Sequence, residues 1–422
     1  MFGKGALIYV AGFSLVFAIY TARLSDLTTK ASDNFNQYFV ENTVHEAAQT
    51  AMNFAVNKVW DTSTTADSFY IYDNSCTTFV SISEPNLDTV LVRVNTHSRV
   101  FDPEYYVSKG VTKPVEDSIF AYFSYDIPAS RYFWFTNTEN GVYWIAGDTV
   151  WGPIHSNGVL KTNGDPVFYG KVTAHTGINP PPTSHGSDAH FYGGYEIGVD
   201  VELPTDMTPM ETAALSGNGG APGSGGADWN EKSMYNEEVW FEFLSDGDVI
   251  RTIPSIGVLD TVTLTDIAPT GVIQCTENVH VKGELNGQVS IHTDHTIIIE
   301  NDITYADDPL TNPNSDDILG LVADEDCLIA DNPANWADVE IQATIMVPNG
   351  SFGAENFSTR PVSGVLYLTG SVVQDSRGPV GTFTHSVTHG FSKRYYYDPR
   401  LQSMAAPYYP TIRELHLVSW WE

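Results

Sequence analysis

Apolar and small residues run without a charge from Gly5 to Ala22, as GALIYVAGFSLVFAIYTA. At about 1.5 Å of rise per residue a helix of this stretch is about 27 Å long, close to the hydrocarbon thickness of a bilayer. Leu7, Ile8, Val10, Phe13, Leu15, Val16, Phe17 and Ile19 surround the whole helix circumference, which predicts lipid or a bundle of helices around it. No Gly or Pro falls between Phe13 and Glu84, and the apolar positions keep helical spacing, so one helix is expected from near Gly3 to about Trp60. Leu24, Leu27, Ala31, Phe35 and Tyr38 form a first stripe, and Val44, Ala48, Met52, Val56 and Val59 continue it. Small residues at Ala47, Ala51 and Ala55 permit close packing there. The expected role of Leu24, Leu27, Phe35, Tyr38, Met52, Val56 and Val59 is to seat the helix on the domain that follows.

Beyond the helix the period changes to two. Phe69–Tyr72, Thr78–Ile82, Thr89–Val94, Arg131–Thr136 and Val142–Ala146 alternate apolar and polar residues, as strands do. From Gly141 to Gly177, from Gly271 to Tyr305 and from Gln342 through Phe383, short apolar runs are punctuated by Gly-Asp, Asn-Gly and Gly-Lys turns. Such rungs bury their inner face only by stacking, so a β-solenoid of parallel β-helix type is favoured there over a sandwich. The predicted fold class is α+β, mainly β: a long N-terminal helix, then a β-sheet, then a solenoid body. The expected segments are the helix over 1–60, a sheet domain over 61–140, a first solenoid block over 141–215 and a second over 228–394. The glycine-rich 216–227, SGNGGAPGSGGA, reads as a mobile loop, an insertion or a linker, and the aromatic 395–422 as a cap.

Composition sharpens this. Only 17% of residues are charged and 12% are aromatic, which suits an all-β body better than a cytoplasmic α/β enzyme. Fifty-two acidic residues against 20 basic ones leave a net charge of −32, which repels nucleic acid and anionic lipid and suits a saline medium. The acidic loops holding Asp307, Asp308, Asp316, Asp317, Asp324, Glu325 and Asp326 suggest calcium as the one candidate cofactor, although solvated loops account for them more simply and no EF-hand order is present. His175, His185 and His190 cluster without zinc-site spacing. Cys76, Cys275 and Cys327 lack CxxC spacing; Cys275 with Cys327 is the pair best placed for a disulfide, with buried thiols as the alternative. No nucleophile elbow, phosphate loop or dinucleotide fingerprint occurs, so no catalytic residue is assigned and no enzyme is expected.

An apolar helix at the start of the chain, running unbroken into an amphipathic half and then a β body, resembles the type IV pilin and pseudopilin class. Two segments, AAQTAMNFAVNKV from Ala47 and GPIHSNGVLKTNGDPVFYGKVT from Gly152, resemble large minor pilins of PilX type. Unlike that class, no acidic residue precedes Asp26, and a short basic leader ending in Gly before a Phe is lacking unless Met1 already follows processing, which leaves leader processing and the usual subunit register open. The resemblance implies a structural subunit of an extracellular or cell-surface filament, polymerising through its apolar helix and anchored in the inner membrane before assembly. Its partners are then further copies of itself and other pilin-like subunits. The other readings are a monomeric membrane-anchored adhesin, held by an uncleaved signal anchor with Lys4 inside, and a β-helix protein that binds or degrades polysaccharide. A cleaved signal peptide fits less well, because Lys4 is its only basic residue and Tyr20 stands where a small residue is needed.

Overall fold

The computed structural model of the chain describes residues 3–62, 66–73, 75–86, 89–99, 114–183, 188–384 and 387–422. It resolves into two compact units, residues 1–126 with 414–422 and residues 127–413. The boundary falls at Asp126 and Ile127, earlier than the turn-rich texture suggested. Ile127 and Ala129 already pack with Phe135, Val373 and Ile412 in the core of the second unit.

In the first unit, helix α1 (Gly3–Thr62) precedes strands β1 (Asp67–Tyr72), β2 (Cys76–Asn86), β3 (Thr89–Ser98) and β4 (Glu116–Pro128). The sheet order is β1, β2, β3, β4 and then the C-terminal strand Thr411–Trp421. Neighbours β1 to β4 are antiparallel, and the register sets Val80 opposite Val94 and Val92 opposite Ala121. Every second residue therefore faces one side: Val80 and Ile82, then Val90, Val92 and Val94, then Ile119, Ala121 and Phe123. Ala48, Ala51, Met52, Ala55 and Val59 of α1 close over that face. Three of those five are alanines, which lets the helix lie close to the sheet.

The second unit is built on ladders of parallel strands. One ladder joins Met234–Tyr235, Val272–Cys275, Gln288–Thr293, Ile318–Ala323 and the C-terminal part of Val339–Val347. It continues through the end of Val362–Ser376 to Trp134–Thr138, Ile154–Ser156, Val172–Ala174 and Tyr195–Ile197. The pairing places Ile273, Ile291, Leu321, Ile345, Val372, Trp134, Ile154 and Val172 in one column. These residues belong to one buried apolar core. Their sequence neighbours Val322, Met346, Val373 and Phe135 face the other way, into a second core completed by Met210 and Ala214 of the helix Thr208–Gly217 and by Leu401, Ala406 and Tyr409. Both faces of this sheet are thus buried, which explains its near-continuous apolar runs.

The order of the rungs is not the order of the sequence. The chain enters in mid-stack at Trp134, builds outward to Tyr195, and resumes at Met234 on the far end. It then builds back until Val372 pairs with Trp134. A second ladder runs through Val239–Phe243, Val279–Leu285, Ile297–Tyr305, Cys327–Ile329 and Phe352–Ala354. At the Met234 end, Val239–Phe243, Asp248–Ile253 and Val258–Thr263 form an antiparallel meander.

The glycine-rich segment lies on the return between the two blocks, and it is pinned. Asn218 is buried and donates through Nδ2 to the carbonyls of Gly220 and Ala227, while Ala227 N–H donates to Asn218 O. Gly226 has no room for a side chain, since a Cβ there would stand 2.3 Å from Gly220 O. The expected aromatic cap divides between the units. Tyr395, Leu401 and Tyr409 are buried in the second, whereas Trp420 and Trp421 lie on the C-terminal strand of the first and are exposed.

Candidate functional site

The feature that no internal packing explains is the front of α1. Residues 5–43 of the helix are exposed or only half-buried, and the first buried residue is Val44, after which one face of the helix is covered. Leu7, Ile8, Val10, Phe13, Leu15, Val16, Phe17 and Ile19 all project into open space, Phe13 with 75% of its surface free. The helix is long and apolar enough to cross a membrane.

Leu24, Leu27, Phe35 and Tyr38 correct an expectation. They keep the helical spacing of a packing stripe, yet all four are exposed. Met52, Val56 and Val59 do meet the sheet, Val56 at its margin. The strands reach only as far as Val44, and everything before it extends past the sheet. Periodicity shows that a face is apolar; how far the opposing sheet extends is a tertiary fact.

Polar groups on the projecting part are largely satisfied within the helix. Thr21 Oγ1 donates to Phe17 O at 2.6 Å, Thr28 Oγ1 to Leu24 O at 2.8 Å and Thr29 Oγ1 to Ser25 O at 2.9 Å. Lys30 Nζ pairs with Asp26 Oδ2 at 2.9 Å, one turn apart. Hydroxyls bonded in this way enter an apolar environment without an orphaned donor.

The remaining candidate residues lie in separate places. Cys275 and Cys327 are both buried free thiols, so of the two open readings the disulfide is the one that fails. Cys275 stands in the first ladder beside Thr293, and Cys327 in the second beside Ile297 and Phe352. Burial pushes both thiols up, so neither is a poised nucleophile. The acidic stretch over 307–326 mostly holds turns: Asp317 accepts from Gly287 N–H at 2.6 Å and Asp307 N–H at 2.9 Å, and Asp326 accepts from Ser351 N–H at 2.8 Å. Among the described residues, His292, Asp294 and Asp324 bring their ligand atoms within 4.8 Å of one another, and His280 is held between Glu300 at 2.6 Å and Glu238 at 3.0 Å. His292 is already engaged there, Nδ1 with Gln274 Oε1 at 2.5 Å and Nε2 with Asp324 Oδ1 at 3.3 Å. His175 lies 3.5 Å from Asp200 and His190 stacks on Tyr192, while His185 falls outside the described residues.

An aromatic column was not anticipated from the sequence. Tyr396, Trp151, Tyr169 and Tyr192 stack face to face on successive rungs, with centroids 6.0, 5.6 and 5.3 Å apart. Its signal was legible: each of the last three precedes a glycine, at Trp151-Gly152, Tyr169-Gly170 and Tyr192-Gly193.

No family model matches the chain, and no curated protein matches it. Among solved structures it is similar to the competence-associated pilin ComZ from Thermus thermophilus, at 10% identity over 90% of this chain and 96% of that one, with a TM-score of 0.32. A likeness of that degree carries no argument about fold or role.

Proposed function

We propose that the chain is a structural subunit of a cell-surface or extracellular filament, assembled through the projecting part of α1. The observation that supports this is one of length. Residues 5–43 rise about 58 Å as a helix, whereas a bilayer core takes about 30 Å. Gly5–Ala22 fills the membrane thickness, and Leu24, Leu27, Phe35, Tyr38 and Phe39 remain exposed beyond it. A tether has no use for that second apolar stretch; copies of the same helix packed side by side cover both.

On this reading the subunit waits in the membrane by its first turns, then moves with its neighbours into a helical core that is apolar throughout. Its partners are further copies and other pilin-like subunits. The ladders of the second unit form a β-solenoid displayed on the outside, and the role is structural with no catalytic step.

The test is electron microscopy of the full chain purified in detergent, before and after detergent removal. Rods with an axial repeat are expected from the wild type. A Leu24→Asp, Leu27→Asp double variant keeps the membrane-length segment and should insert in vesicles yet form no rods. Rods from that variant, or dispersed particles from the wild type, would overturn the proposal.

A further inference from the structure

Where the first-built rungs of the second unit meet the last-built ones, the structure buries a lysine against an aspartate. Lys393 comes from the strand Val387–Tyr397, and Asp148 from the turn between Trp144–Ile145 and Thr149–Val150. Lys393 Nζ lies 3.0 Å from Asp148 Oδ2, and each side chain is only 11% exposed. The same Oδ2 accepts Ile145 N–H at 2.9 Å. Lys393 borders a cavity of about 340 Å³ whose walls include Trp134, Tyr143, Phe383 and Tyr395.

The charges around the pair are unusual for a plain ion pair. Arg377 lies over the Trp144 ring, 4.1 Å from its centroid, and Lys393 Nζ is 5.6 Å from the same centroid. Arg377 has its own buried counter-ion, Glu139, at 3.0 Å. Burial pushes the Lys393 ammonium down; Asp148 opposes that and Arg377 adds to it. Burial together with a second cation beside the lysine favours the neutral amine.

We propose that Lys393 and Asp148 condense within the folded chain to an amide, an isopeptide cross-link between the two blocks of rungs. The ammonium passes a proton across the hydrogen bond to the carboxylate, leaving an amine and a carboxylic acid. The lone pair of Nζ attacks Cγ and forms the C–N bond, charge passes to Oδ1 in the tetrahedral intermediate, and Ile145 N–H holds in place Oδ2, the oxygen that took the proton. A C–O bond then breaks, and the oxygen leaves as water with one proton from the amine and one from the acid. No external reactant is consumed. Condensation in water is unfavourable between free partners, but groups held by a fold react at effective molarities on the order of 10⁵ M or more.

The link would matter because the chain enters the ladder in mid-stack. Asp148 and Lys393 are 245 residues apart in sequence, and the blocks that carry them are joined along the first ladder by hydrogen bonds between Val362–Ser376 and Trp134–Thr138. An amide there makes the seam covalent, and the inference stands apart from the filament proposal.

The test is the intact mass of the full chain, purified folded in detergent, then denatured and reduced. The expected mass is one water below the sequence value, and proteolysis should release a branched peptide joining Asp148 to Lys393. Lys393→Arg and Asp148→Ala should each restore the full mass. A wild-type chain at the full sequence mass, or a lost water that maps to any other pair, would overturn the inference whether or not the variants fold.

Discussion

Arg360 shows how individual residues hold the body together. It is buried with 1% of its surface free, and its guanidinium donates to the carbonyls of Ile329, Ala330, Asn335 and Glu355 while Nε donates to Ser363 Oγ. One cation thus satisfies four carbonyls where the rungs turn, and its plane covers Phe391. Asp331 does a similar service nearby, accepting from Trp336 Nε1 at 2.8 Å and Asn356 Nδ2 at 3.0 Å. Those two hydrogen bonds hold its carboxyl below the usual aspartate range. A depressed acid stabilises the fold above the unfolded pKa of about 3.9, and that contribution is lost as pH falls through the lower folded value. Asp331→Asn should therefore lower the urea midpoint at pH 7, and the difference from the wild type at the same pH should shrink as pH falls below about 3.9. These roles were hidden in the sequence, where Arg360 and Asp331 look like ordinary surface charges.

At the scale of elements, the corner glycines fix how closely rungs stack. Gly152, Gly170 and Gly193 sit one above another, and a Cβ on Gly170 would lie 2.0 Å from Gly152 O. Backbone cannot yield that distance, so Gly170→Ala should destabilise the second unit by roughly 3 kcal/mol or more, read by chemical denaturation. The same change at Gly257, an exposed turn where nothing lies within 4 Å but φ is +69°, should cost only about 1 kcal/mol. The rungs themselves were legible, because each is a short apolar run closed by a turn. Three strands of the first sheet were legible too, from period two, although Cys76–Asn86 and Thr89–Ser98 run past the expected ends and Glu116–Pro128 and Thr411–Trp421 were not foreseen. The pairing of rungs was not, since any of several apolar edges satisfies any other locally. The stripe of Leu24, Leu27, Phe35 and Tyr38 on α1 was misjudged for the related reason that a stripe does not report the length of its partner.

For the whole molecule, charge and topology set the behaviour. With −32 distributed over 422 residues, self-repulsion opposes compaction at low salt and is screened as the Debye length falls from about 30 Å at 0.01 M to about 3 Å at 1 M. The thermal midpoint should rise with sodium chloride over that range, followed by circular dichroism of the detergent-solubilised chain; a midpoint that falls would count against screening as the main effect of salt. Both ends of the second unit's chain, Ile127 and Arg413, connect to the first unit.

By itself the sequence determined the apolar helix, the alternating strands after it, the turn-punctuated rungs and the absence of a familiar catalytic motif, because each is written in local spacing. Only the tertiary structure decided that the helix projects free before Val44, that Cys275 and Cys327 stand in separate ladders, that the rungs stack out of sequence order, and that Asp148 meets Lys393. Each of those depends on contacts between residues far apart in the chain, where the free energy comes from burial and register that no local window contains.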